Sequence, residues 1–115
     1  MKIMALKSVK SSLHALRRID WANEETCEFT LGLLSNATTV PFGQLERLAK
    51  LVGNLTDFQP WVGVYVVDDL LEFIRLALEL NDNSLYQRLF SSVVYLGQLF
   101  NYTVCGTFMI FKVGG

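Results

Sequence analysis

Apolar residues recur at three- and four-residue spacing along most of this chain, the pattern of helices with one buried side. From Met4 to Arg18 the apolar series is Leu6, Val9, Leu13, Leu16 and Ile19. Lys7, Lys10, His14, Arg17 and Arg18 fall on the other side, and Asp20 ends the segment. Asn23 is placed to cap a second helix from Glu24 to Ser35, whose acidic first turns (Glu24, Glu25, Glu28) suit the positive end of a helix dipole. Phe29, Leu31, Leu33 and Leu34 are its apolar residues, and Asn36 is its expected stop. A third helix is expected from Pro41 to Asp57, with Leu45, Leu48, Ala49, Val52 and Leu55 in one stripe. The fourth runs from Trp61 to Leu80. Its Val64-Tyr65-Val66-Val67 could be a strand in isolation, but Val67, Leu70, Leu71, Ile74, Ala77 and Leu78 continue at helical spacing for too long. The fifth, Ser84 to Tyr102, follows the turn residues Asn81, Asp82 and Asn83 and is apolar nearly all round, which predicts the central helix. A sixth begins near Thr103. Helices joined by short links pack as antiparallel hairpins, so the predicted fold is all-α: hairpins stacked as a HEAT-like α-solenoid, five helices plus the start of a sixth.

The fourth segment carries the sharpest polar pattern. At about 100° per residue, Glu72, Arg75 and Glu79 all fall within ~40° of Asp68. The stripe is about three turns long and net acidic, with Leu70, Leu71, Ile74, Ala77 and Leu78 expected to face away from it. Such a stripe is either a solvated surface with weak ion pairs or a docking surface for a basic partner. The first segment has the opposite sign: Lys7, Lys10, Arg17 and Arg18 form a basic stripe, either solvated or in contact with RNA phosphates. No aromatic platform is interleaved with it, which argues against base-stacking recognition of single strands.

Composition narrows the function further. At 115 residues and 13.0 kDa the chain is one small domain. It is 51% hydrophobic and 18% charged, with mean hydropathy +0.33, which excludes a disordered tail. A net charge of −1 gives no global basic field. Cys27 and Cys105 form no metal-binding motif and are expected to be reduced, buried thiols. Three sequons (Asn36, Asn54, Asn101) matter only in the secretory pathway, and Lys7 and Lys10 interrupt any signal-peptide core. The same basic, amphipathic start leaves a transit peptide as an alternative. Leu89 to Val113 is uncharged before Lys112, but Gln98 and Asn101 interrupt it. A protein-covered helix is therefore expected there, the alternative being a small membrane-associated protein. The one histidine, His14, has no partner at helical spacing, and there is no glycine-rich phosphate loop. No catalytic residue, metal or cofactor is predicted, and the chain is not expected to be an enzyme.

The run from Gly63 to Phe111 carries a family likeness. Val66-Val67-Asp68, Leu71-Glu72, Ile74-Arg75, Glu79 with Asn81, Gln87-Arg88, Ser91-Ser92, Leu96-Gly97, Leu99, Asn101-Tyr102 and Ile110-Phe111 match in register, several of them polar and spread over two helices. Weaker matches lie at Arg17 to Trp21 and Leu45 to Leu55. This segment resembles the third middle domain of the second up-frameshift factor family, a domain type named after the middle region of eukaryotic initiation factor four gamma. The resemblance implies a scaffold of the mRNA surveillance complex in nonsense-mediated decay, in the cytoplasm and around the nucleus. It implies docking of the RNP-type domain of the third up-frameshift factor, which links decay to the exon junction complex, at the acidic positions Asp68, Glu72 and Glu79. It also implies a capacity for RNA binding. The departures are Phe73 where the family has an acid, Asp69 where it often has Gly, and Val94 in place of a basic residue. The likeness covers about the N-terminal half of the family domain, so residues 1–115 are expected to be a single partial domain. Apolar surface left on segments five and six would then favour self-association. The family's helicase-binding region is not expected within residues 1–115, and helicase binding is not implied for them.

Overall fold

The protein is described here from a computed structural model covering residues 9–102, with side chains from residue 13. Among the described residues there are five α-helices and no strand: α1 (Val9–Arg17), α2 (Glu24–Ser35), α3 (Leu45–Phe58), α4 (Pro60–Leu80) and α5 (Tyr86–Tyr102). Short 3₁₀ turns at Phe42–Gln44 and Asn83–Leu85 lead into α3 and α5. The expected sixth helix, Cys105, and residues 4–8 of the first segment lie outside the described residues.

The ends of the helices follow from local chemistry. Asn23 accepts a hydrogen bond from the Thr26 N–H at 2.9 Å and caps α2. Asn36 ends it by turning its amide oxygen onto the N–H and hydroxyl of Thr38. Pro41 sits one step before the 3₁₀ turn instead of inside α3, so α3 starts at Leu45. Pro60 opens α4, where its missing N–H leaves no bond unmade. Asn81 closes α4 in the left-handed conformation with φ 49°, its N–H reaching Ala77 O at 3.0 Å. The Asp82 carboxylate then accepts from the Ser84 N–H at 2.9 Å, which holds its pKa below the ordinary value and starts the next turn.

Two rows of helices result. In one row α3 packs between α1 and α5; in the other α2 packs on α4, and α4 bridges to α3 and α5. This is the alternation of a helical solenoid. The central helix is therefore α3, where Leu45, Leu48, Ala49, Leu51, Val52, Gly53 and Leu55 are all buried. The expectation that α5 would be central is corrected. Among the described helices it stands at the end of its row, and it buries only Ser91, Ser92, Tyr95 and Leu99. Its hydrophobic circumference is wider than its set of neighbours among the described helices.

One contact ties the rows together, and another brings α3 and α5 close within their own row. The Tyr95 hydroxyl, fully buried, donates to Leu34 O at the end of α2, and burial pushes its phenol far above the ordinary value. At Gly53 a Cβ would lie 2.3 Å from the Tyr102 carbonyl oxygen, so only glycine lets α3 and the end of α5 come this close. Tyr102 also donates its hydroxyl to Glu46 at 2.8 Å. Cys27, expected to be buried, is a free, half-buried thiol packed against the core.

Candidate partner-docking face

The exposed side of α4 is built from local helix geometry. Arg75 donates from Nη1 to Glu79 Oε1 at 2.8 Å and from Nη2 to Glu72 Oε1, so one guanidinium spans both carboxylates. The hydrogen bond Arg75 donates to Glu72, then the charge of Glu72, then the same two effects at Glu79 raise the Arg75 pKa. It stays protonated at any working pH. Asp68 lies one turn upstream on the same exposed stripe. The four residues therefore share a ridge running along the second half of α4.

The apolar side of α4 differs from the expected stripe. Leu70 and Ala77 are buried and Ile74 is half-buried, but Leu71 is 48% and Leu78 65% exposed. The reason is tertiary. Ser35, the last residue of α2, donates its hydroxyl to Asp69 near the middle of α4. Beyond that point α2 no longer runs alongside, so Leu71 and Leu78 flank the acidic ridge in solvent. On the α2 side, Tyr65 lies near Asp69 and Glu28. Partial burial first, then those carboxylates, raise its phenol pKa. Negative charge thus extends across α4 toward α2. Phe29, expected among the apolar residues of α2, is exposed there.

Sequence reasoning missed how the departures at Asp69 and Phe73 fit together. The Arg88 guanidinium of α5 stacks over the Phe73 ring, 3.9 Å from its centroid. Partial burial lowers its pKa while the charge of Asp69 opposes that. An aromatic face thus meets Arg88 at position 73. The sole available signal was the pairing of an arginine with an unusual phenylalanine one helix away.

The basic stripe is only partly placed. Lys7 lies outside the described residues, as does the side chain of Lys10. Arg17 and Arg18 are exposed, and the Arg17 guanidinium lies over the Phe58 ring at 5.3 Å, which draws it toward α3. Among the described residues no group of three His, Cys, Asp or Glu could hold a metal ion. No described helix is long and apolar enough to cross a membrane; the stretch beyond Tyr102 lies outside the described residues.

The described helices thus form a two-row scaffold of the helical-solenoid class that presents a charged, exposed ridge on α4. Residues 1–114 match the family described as MIF4G domain, and the chain belongs to that family. It is 31% identical over 111 residues to Regulator of nonsense transcripts 2 of Homo sapiens and of Mus musculus. It is 30% identical over 105 residues to Regulator of nonsense transcripts UPF2 of Arabidopsis thaliana. These alignments cover 96%, 96% and 91% of the chain but 9% of each relative.

Proposed function

We propose that this chain is a non-enzymatic scaffold in nonsense-mediated mRNA decay that docks the RNP-type domain of the third up-frameshift factor on the ridge of α4. Asp68, Glu72 and Glu79 meet basic side chains of the partner, and Arg75 holds Glu72 and Glu79 at fixed spacing between them. The observation that carries this reading is the exposed Glu72–Arg75–Glu79 bridge, with Asp68 one turn away, at the positions where the family likeness puts partner contacts. The names of the relatives support the pathway. Carboxylates already held by a guanidinium lose little side-chain freedom on binding, so the ridge gives register as well as attraction.

The test is charge reversal. Glu79→Arg should weaken binding of the recombinant RNP-type domain by at least about tenfold, with helicity by circular dichroism unchanged. Raising salt should mainly slow association, since complementary charge acts most on encounter. Affinity of Glu79→Arg equal to wild type would remove the assignment. Replacing Lys7, Lys10, Arg17 and Arg18 by Ala should leave this protein partner bound. Loss of RNA affinity in that variant, with a shallower salt slope, would instead place an RNA contact on the first segment.

A further inference from the structure

Charge is divided between the two rows of helices. The sequences of α2 and α4 hold seven carboxylates and one guanidinium, that of Arg75. Those of α1, α3 and α5 hold five cations and two carboxylates. The second row therefore offers a basic partner a field wider than the ridge of Asp68, Glu72 and Glu79. That ridge continues toward the start of α4, where its chemistry changes. Trp61 and Tyr65 fall within about 60° of Asp68 and Glu72 on the same side of the helix. Each is 41% exposed.

The Trp61 ring is fixed without being covered. It meets Trp21 in a T-shaped contact, with centroids 5.6 Å apart and an interplanar angle of 86°, and its indole N–H donates to Gln59 Oε1 at 3.0 Å. Trp21 in turn donates to Leu16 O at 3.1 Å, which anchors the pair to the end of α1. One turn along α4, Tyr65 stands at the seam with α2, near Asp69 and Glu28. Asp69 is held there by the Ser35 hydroxyl. Neither α2 nor α4 before Arg75 contains a Lys or Arg, so no cation of these segments balances the seam. The seam lies inside the second row, bounded by two described helices, whereas the described chain begins and ends in α1 and α5, in the first row.

We propose that Trp61 and Tyr65 form a receptor for an arginine side chain of the basic partner, its guanidinium lying over the Tyr65 ring with Glu28 and Asp69 beside it. The inference rests on the docking reading above and extends that site from α4 onto α2. A guanidinium suits the place because it is planar and weakly hydrated, stacks on an aromatic face, and keeps its N–H groups free for carboxylates at the ring edge. The fold already makes this contact internally, where Arg88 lies over Phe73 at 3.9 Å. The two parts of the site then act at different stages. Exposed ridge carboxylates steer encounter, whereas a ring contact that forms only after docking slows departure. Trp, Tyr and Arg are also the residue types that carry most binding energy at interfaces.

Binding kinetics of the full 115-residue chain with the recombinant RNP-type domain are the test. Tyr65→Ala should raise the dissociation rate at least about tenfold and leave the association rate within about twofold, with helicity retained. Tyr65→Phe keeps the ring face and should stay within about twofold of wild type. Tyr65→Leu keeps apolar area without the negative face of a ring, and should lose about as much as Tyr65→Ala. Glu28→Arg should weaken binding at least about tenfold, although α2 carries none of the ridge. Wild-type dissociation of Tyr65→Ala or of Tyr65→Leu, or unchanged affinity of Glu28→Arg, would overturn the proposal. Glu79→Arg separates the two readings. Loss there with Tyr65→Ala unaffected removes the receptor and leaves the ridge, and the reverse removes the ridge and leaves the receptor. A wild-type chain that does not bind the domain removes both.

Discussion

Helices α3 and α5 each carry one interior glycine and a strongly apolar sequence, and α5 is the more hydrophobic of the two. Their fates differ. α3 has a neighbour on each side of its row and α4 behind it, and it buries half of its residues. Among the described helices α5 has α3 and α4 on one side only, and Phe90, Val93 and Phe100 are exposed. The glycines divide in the same way. Gly53 is pressed against the Tyr102 carbonyl, whereas Gly97 faces open space. Burial in this fold follows the number of neighbouring helices, which hydrophobic content does not set.

The contrast can be broken most strongly in the centre. Leu55→Ala should destabilise the chain by about 2–5 kcal/mol in urea unfolding, because Leu55 is fully enclosed and α3 cannot collapse onto the void. Gly53→Ala should destabilise by about 1–3 kcal/mol despite alanine's better helix propensity, since its Cβ meets a backbone oxygen that cannot rotate away. Equal or higher stability in that variant would show that the α3–α5 approach is loose.

Tyr95→Phe tests the buried hydrogen bond that ties α5 to the second row. Leaving Leu34 O unpaired in a buried site should lose about 1–3 kcal/mol. The same residue gives a pH signature. Its folded pKa lies above its ordinary value of 10.0, so its stabilisation is intact below pH 10 and is lost as pH rises beyond it. Unfolding free energy should then fall by about 1.4 kcal/mol per pH unit from this group. Tyr95→Phe should show a correspondingly shallower alkaline slope. The smallest effect is expected at Gly97→Ala, which should stabilise the monomer by about 0.8–1.0 kcal/mol through helix propensity alone. A loss there would mean that the open side of α5 is occupied.

The acidic ridge was legible in the sequence because it is a property of one helix. Residues three and four apart are neighbours on any α-helix, so Glu72, Arg75 and Glu79 had to meet once α4 formed. The bounds of α2 were legible for a similar reason, since Asn23 and Asn36 act on backbone groups two or three residues away. What escaped was every feature set across helices. The bond from Ser35 to Asp69 fixes how far α2 runs along α4 and thereby exposes Leu71 and Leu78. The stacking of Arg88 on Phe73 joins two helices through residues that are unremarkable separately.

The order and type of the described elements, and the acidic ridge of α4, were thus carried by short-range pattern. Helix formation and i,i+4 pairing act within a turn or two of chain. Among the described residues, the identity of the central helix, the side on which α5 is exposed, and the apolar borders of the ridge came from the packing of two rows. An apolar side chain is buried only where another element arrives to exclude water, and the hydrophobic effect specifies an amount of surface without a direction.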